Sequence, residues 1–129
     1  MIPQQDILKF ADRFMDALER GDHEAVRACY AKDARLWHNF DDLEQSVDSS
    51  LKALDWMARK LPRRHYRIVR RELLTDGWLQ QHVLEATLLD GRPFRLFSCF
   101  IIRMSGGLIT RIDEYLDPAQ AAVLADIRT

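Results

Sequence analysis

Gly107-Leu108-Ile109-Thr110-Arg111-Ile112-Asp113-Glu114-Tyr115-Leu116-Asp117-Pro118 reads as one β-strand, opened by glycine and closed by proline. Alternation assigns Leu108, Thr110, Ile112, Glu114 and Leu116 to an apolar face. Ile109, Arg111, Asp113, Tyr115 and Asp117 fall on the other, which suits solvent or a partner. Glu114 is therefore a carboxylate on the core side, where ionisation is costly unless something pairs with it. Two explanations stand: a buried ion pair or backbone hydrogen bond, or an acid or base facing a pocket.

The segments before this strand share its period. Asp76-Gly77, Asp90-Gly91 and Ser105-Gly106-Gly107 are turn signals that separate four strands at about 65–74, 78–89, 93–103 and 108–116. Further towards the start the period becomes helical. Ile7, Phe10, Ala11, Phe14 and Leu18 form one stripe that stops at Gly21, and Asp22 caps a second helix with Val26, Cys29 and Tyr30 on one side. Residues 34–40 alternate as a short strand with Ala34, Leu36 and His38 together. Leu43, Val47, Leu51, Leu54, Ala58 and Leu61 make a third helical stripe, ended by Pro62, and 118–127 form a tail helix.

The order ααβαββββ predicts a single α+β domain over 1–129. Long antiparallel strands must cover one face, and the three striped helices are available to cover it. A sheet curled around them becomes a cone, a cystatin-like α+β barrel, whose mouth can hold a small molecule.

Composition narrows the function classes. The chain is 129 residues, 47% apolar and 30% charged, which excludes a disordered or membrane-embedded protein. A formal charge of −1 argues against nucleic acid and anionic membrane as partners. Arg59, Lys60, Arg63, Arg64, Arg67, Arg70 and Arg71 form the single charge run and read as a solvated face. Cys29 and Cys99 make neither a disulfide framework nor a zinc site, and no apolar run approaches a membrane span. A cytoplasmic location is the expectation.

Parity brings candidates for chemistry together. In 78–89 the face that carries Leu84, Ala86 and Leu88 also carries Trp78, Gln80 and His82. His82, His38 and Glu114 are thus three inward polar groups from three strands, and such convergence is what a site requires. Two histidines and a carboxylate could also hold a metal, but no local ligand spacing supports one, and no metal or cofactor is expected. His38 suits a general base, Glu114 a proton donor or store, and His82 a polarising group. Trp37, Asn39, Gln80, Ile112 and Tyr115 are further ligand-binding candidates, although Trp37 and Tyr115 have outward parity.

The chain resembles the nuclear-transport-factor-2-like superfamily, and within it the SnoaL-like polyketide cyclases. The resemblance rests on Ala-Leu-Glu-Arg-Gly-Asp at 17–22, Tyr-Ala-Lys-Asp-Ala at 30–34, the long strands, and Ile-Thr-Arg-Ile-Asp-Glu-Tyr-Leu-Asp-Pro at 109–118. It implies cofactor-free acid–base work on a small apolar molecule, and pairing into a homodimer through the outer sheet face. Relative to the ketosteroid isomerases, the aspartate base falls on His38, the tyrosine donor on Phe14 and the second acid near Phe100. Phe14 and Phe100 cannot donate hydrogen bonds, so that family's oxyanion hole is missing; both remain candidates for the pocket wall. Relative to the limonene epoxide hydrolases, the water-orienting aspartate falls on Glu114, but the arginine and second aspartate fall near Gln81 and Val83. Scytalone dehydratase-like members use two histidines and an acid, the inventory of His38, His82 and Glu114. The reading is a pocket protein of isomerase, cyclase or dehydratase type. The alternatives are a non-catalytic ligand-binding or dimerisation module of the same fold, and an interaction protein docking through Arg111, Asp113 and Tyr115.

Overall fold

The computed structural model describes residues 3–127. Its first helix, α1 (Gln4–Arg20), buries Ile7, Phe10, Ala11 and Phe14 along one stripe. It ends at Gly21, whose φ of 67° lets its own N–H reach Leu18 O and the Asp22 N–H reach Ala17 O. Asp22 then caps α2 (His23–Arg27) by accepting from Ala25 N–H. This helix is one turn shorter than expected. Cys29 lies beyond it, and Tyr30 already opens β1 (Tyr30–His38).

β1 turns back at residues 39–42 into β2 (Leu43–Gln45), a short strand absent from the expected order. Leu43 pairs with His38 there and is 61% exposed, so it is no part of the helical stripe. α3 (Val47–Lys60) starts after Ser46, whose side chain accepts from Ser49 N–H, and buries Val47, Leu51 and Leu54. Four long strands follow: β3 (Arg64–Leu74), β4 (Gly77–Thr87), β5 (Pro93–Ser105) and β6 (Leu108–Leu116). The tail divides into α4 (Pro118–Ala121) and a 3-10 turn over Ala122–Asp126.

The six strands form one curved, unclosed sheet in the order β2-β1-β6-β5-β4-β3. All neighbours are antiparallel except β1 and β6, which run parallel and bring the first long strand beside the last. The α+β cone is thus the observed architecture, with a mixed sheet at that one junction.

Two bulges change the parity of the sequence reading. Thr110 is an extra residue between the pairs Arg103–Arg111 and Met104–Ile109. As a result Ile109 is fully buried and Leu108 is exposed, the reverse of strict alternation, whereas Ile112, Glu114 and Leu116 keep their inward face. Val69 is likewise extra between Ile68–His82 and Arg70–Gln81, and the switch turns Arg71 inward to 15% side-chain exposure. Arg64 also leaves the solvated run. Its guanidinium donates to Leu18 O and Leu61 O and lies beside Gly21.

The core has two parts. The larger packs α1 and α3 on the sheet around Phe14, Leu51, Trp78 and Ile102; the smaller gathers Leu61, Leu84, Leu96 and Leu124 near the tail. No described helix is long and apolar enough to cross a membrane.

Candidate active site

A cavity of about 200 Å³ lies where the two clusters meet. Its wall is mainly apolar, with Phe14, Leu36, Leu54, Leu84, Phe100 and Ile112 among its residues. His38, His82 and Glu114 all line it. They come from three strands: His38 ends β1, His82 is central in β4, and Glu114 lies near the end of β6.

The parallel junction sets His38 directly beside Glu114 in the sheet register. His38 Nε2 stands 3.1 Å from Glu114 Oε1, and the Ser98 hydroxyl donates to Oε2 at 2.6 Å. Both side chains of the pair are mostly buried, at 16% and 18% exposure. The bond to Glu114 raises the affinity of His38 for its proton, against the opposing effect of burial. His38 Nδ1 is buried with no protein partner.

His82 lies deeper, at 3% exposure. Its ring stands edge-on between Tyr66 (5.5 Å between centroids) and Phe100 (4.5 Å). Burial lowers its pKa to about 4, so it is a neutral imidazole near pH 7. Tyr30, Tyr66, Gln45 and Ser50 add to the polar lining. Burial first, and then the nearby Glu114 charge, push both phenols above their ordinary value, so they stay protonated.

Of the other candidates, Phe14, Trp37, Phe100 and Ile112 line the cavity. Asn39, Gln80 and Tyr115 do not. Asn39 sits in the turn after β1, where its N–H donates to Glu114 O and its Oδ1 accepts from Leu116 N–H; it latches β1 to β6. Gln80 shares the inward face of β4 but is wholly buried behind His82. Tyr115 faces outward, edge-on to Trp37. Ser98, Tyr30 and Tyr66 escaped the sequence reading. Ser98 was discoverable, since it shares the parity of Leu96 and Phe100 on β5. Among the described residues, no group of three His, Cys, Asp or Glu side chains is placed to hold a metal ion.

A curved sheet packed on helices around such a cavity defines the nuclear-transport-factor-2-like class of α+β proteins. Within it, the chain belongs to the SnoaL-like domain family, whose sequence profile matches residues 11–112. No curated protein matches the sequence. Solved structures share the fold at low identity. AclR, a candidate hydroxylase from Streptomyces galilaeus, superposes with a TM-score of 0.84 at 12% identity, over 98% of this chain and 100% of its own. PrhC from Penicillium brasilianum gives 0.83 at 14% identity, covering 95% and 87%. IdmH, a candidate polyketide cyclase from Streptomyces antibioticus, gives 0.80 at 15%, covering 94% and 99%.

Proposed function

We propose that this protein is a cofactor-free acid–base enzyme acting on a small, largely apolar, cyclic molecule. The observation that carries the reading is the His38–Glu114 pair, 3.1 Å apart in the wall of an apolar cavity that also contains a neutral histidine. With Nε2–H donated to Glu114, neutral His38 keeps a bare lone pair on Nδ1, a buried acceptor without a partner in the protein, which a ligand proton would satisfy once the ring turns it towards the cavity. In the proposed step Nδ1 takes a proton from a carbon next to a carbonyl. The electron pair moves to the carbonyl oxygen, which accepts a hydrogen bond from His82, and Glu114 stabilises the imidazolium formed. The proton returns to the same molecule: in an isomerase at another carbon, and in a cyclase at the alkoxide left when the enolate carbon bonds to a second carbonyl carbon and that carbonyl's π bond breaks. A candidate polyketide cyclase among the structural neighbours fits ring-forming chemistry of this acid–base kind.

The test is hydrogen exchange at the α-carbon of 2-tetralone in D2O, followed by NMR. The wild type should accelerate exchange, and His38→Ala and Glu114→Gln should each lower the rate by roughly 10²–10⁴-fold while the ketone still binds. Binding without acceleration by the wild type would instead favour a ligand carrier, a role that the apolar wall also suits.

A cytoplasmic homodimer belongs to the same reading. Val69, Phe97 and Tyr115 are exposed around one shallow depression on the outer sheet face, an apolar surface that a second copy of the chain would cover.

A further inference from the structure

A buried polar chain runs behind His82 from the surface to the cavity. Asp12 Oδ1 accepts from Arg71 Nη1 at 2.6 Å, and Arg71 Nε donates to Gln80 Oε1 at 2.8 Å. Trp78 Nε1 donates to the same oxygen at 3.3 Å. On its other side, Gln80 Nε2 stands 3.0 Å from His82 Nδ1 and 3.3 Å from Met15 Sδ.

The donor and acceptor inventory leaves one arrangement. Guanidinium and indole N–H groups only donate, so they fix the Gln80 oxygen on their side and its NH₂ on the side of His82. An amide NH₂ also only donates. His82 Nδ1 must therefore be the bare acceptor, and the ring proton must be on Nε2. An imidazolium would set N–H against NH₂, so the contact also opposes protonation of the ring. Nε2 makes no hydrogen bond to the described residues, and the ring borders the cavity.

We propose that Gln80 is a positioning residue that locks His82 as its neutral Nε2–H tautomer, and so makes the cavity select a molecule that presents an acceptor oxygen. A carbonyl, enolate or phenolate oxygen meets that requirement; a group offering only donors does not. The use of this N–H rests on the acid–base reading above, but the tautomer is a property of the unliganded protein. Charged and titratable groups around the ring are Arg71 and Tyr66 from β3 and Glu114 from β6, while α1 contributes the uncharged Met15. Arg71 opposes protonation and Glu114 favours it.

Long-range ¹H–¹⁵N spectra of ¹⁵N-histidine-labelled protein test the assignment, with His82 identified by its loss in His82→Asn. At pH 7 the wild type should show a protonated Nε2 and a bare Nδ1, with no charging down to pH 5.5. A protonated Nδ1, an even mixture of tautomers, or a charged ring at pH 7 would overturn the proposal. In Gln80→Glu, a carboxylate that Arg71 can pair with should accept from Nδ1–H, invert the tautomer and move the titration to higher pH. Where that variant does not fold, Gln80→Met keeps the volume and removes the donor. It should give mixed tautomers, and an unchanged Nε2–H form would remove Gln80 from the role. Loss of ketone exchange with the tautomer intact would count against the acid–base reading and leave this one standing.

Discussion

Two histidines share one cavity wall, and their surroundings push them in opposite directions. Glu114 raises His38, whereas burial lowers His82 to about 4. The signs of their effects on stability follow. His82 binds its proton less well folded than unfolded, so its contribution is present above pH 6.5 and is lost as pH falls towards 4, by roughly 3 kcal/mol. His38 works the other way: its contribution is complete below 6.5 and disappears as pH rises through its folded value. Urea unfolding at pH 6.5 and 4.5 should therefore show an acid-side loss that is smaller in His82→Phe, and an equal loss in both proteins would contradict the burial effect. At this scale much of the cavity was legible. Alternation within regular strands carried Leu36, His38, His82 and Ile112 to one interior. Asn39 was misread because it lies in a turn, where period-two reasoning has no force, and Gln80 because parity gives a face but not a depth.

Among the elements, β4 depends on a close approach that composition does not reveal. A Cβ on Gly77 would lie 1.9 Å from Ile102 O on β5, so any side chain must push the strands apart where their pairing begins. Gly77→Ala should lower unfolding stability by roughly 2–4 kcal/mol in urea, and a change under about 0.5 kcal/mol would show that the strand end yields freely. The long helices and the four long strands were readable from their periods and turn residues. β2 was not, because three residues are too few to establish a period, and Leu43 happens to continue the spacing of the helix that follows. The bulges at Val69 and Thr110 were equally hidden. Each is one ordinary residue whose extra place in the strand is set by its neighbours' pairing, yet one turns Arg71 inward towards Gln80 and the other buries Ile109. The sequence therefore predicted the face of Glu114 correctly while assigning Leu108 and Ile109 in reverse.

For the whole molecule, the proposed dimer predicts that a charge on the outer face separates the subunits. Phe97→Asp should elute at monomer mass in light-scattering chromatography, where the wild type elutes at twice that mass, and cavity binding of 2-tetralone should change little. A wild type that is monomeric at micromolar concentration would dispose of the dimer. The parallel junction of β1 and β6 has a different kind of consequence, one of timing. His38 leaves the ribosome early and Glu114 much later, after the whole run of strands between them. Until β6 has been synthesised and has inserted between β1 and β5, His38 lacks its hydrogen-bonding partner Glu114 and the sheet has a gap at its centre. Partial chains and translation products that stop short of β6 would therefore carry the histidines without their acid. The pairing that sets Glu114 beside His38 is also the one that completes the sheet, so a nascent chain cannot assemble the pair before it acquires the fold.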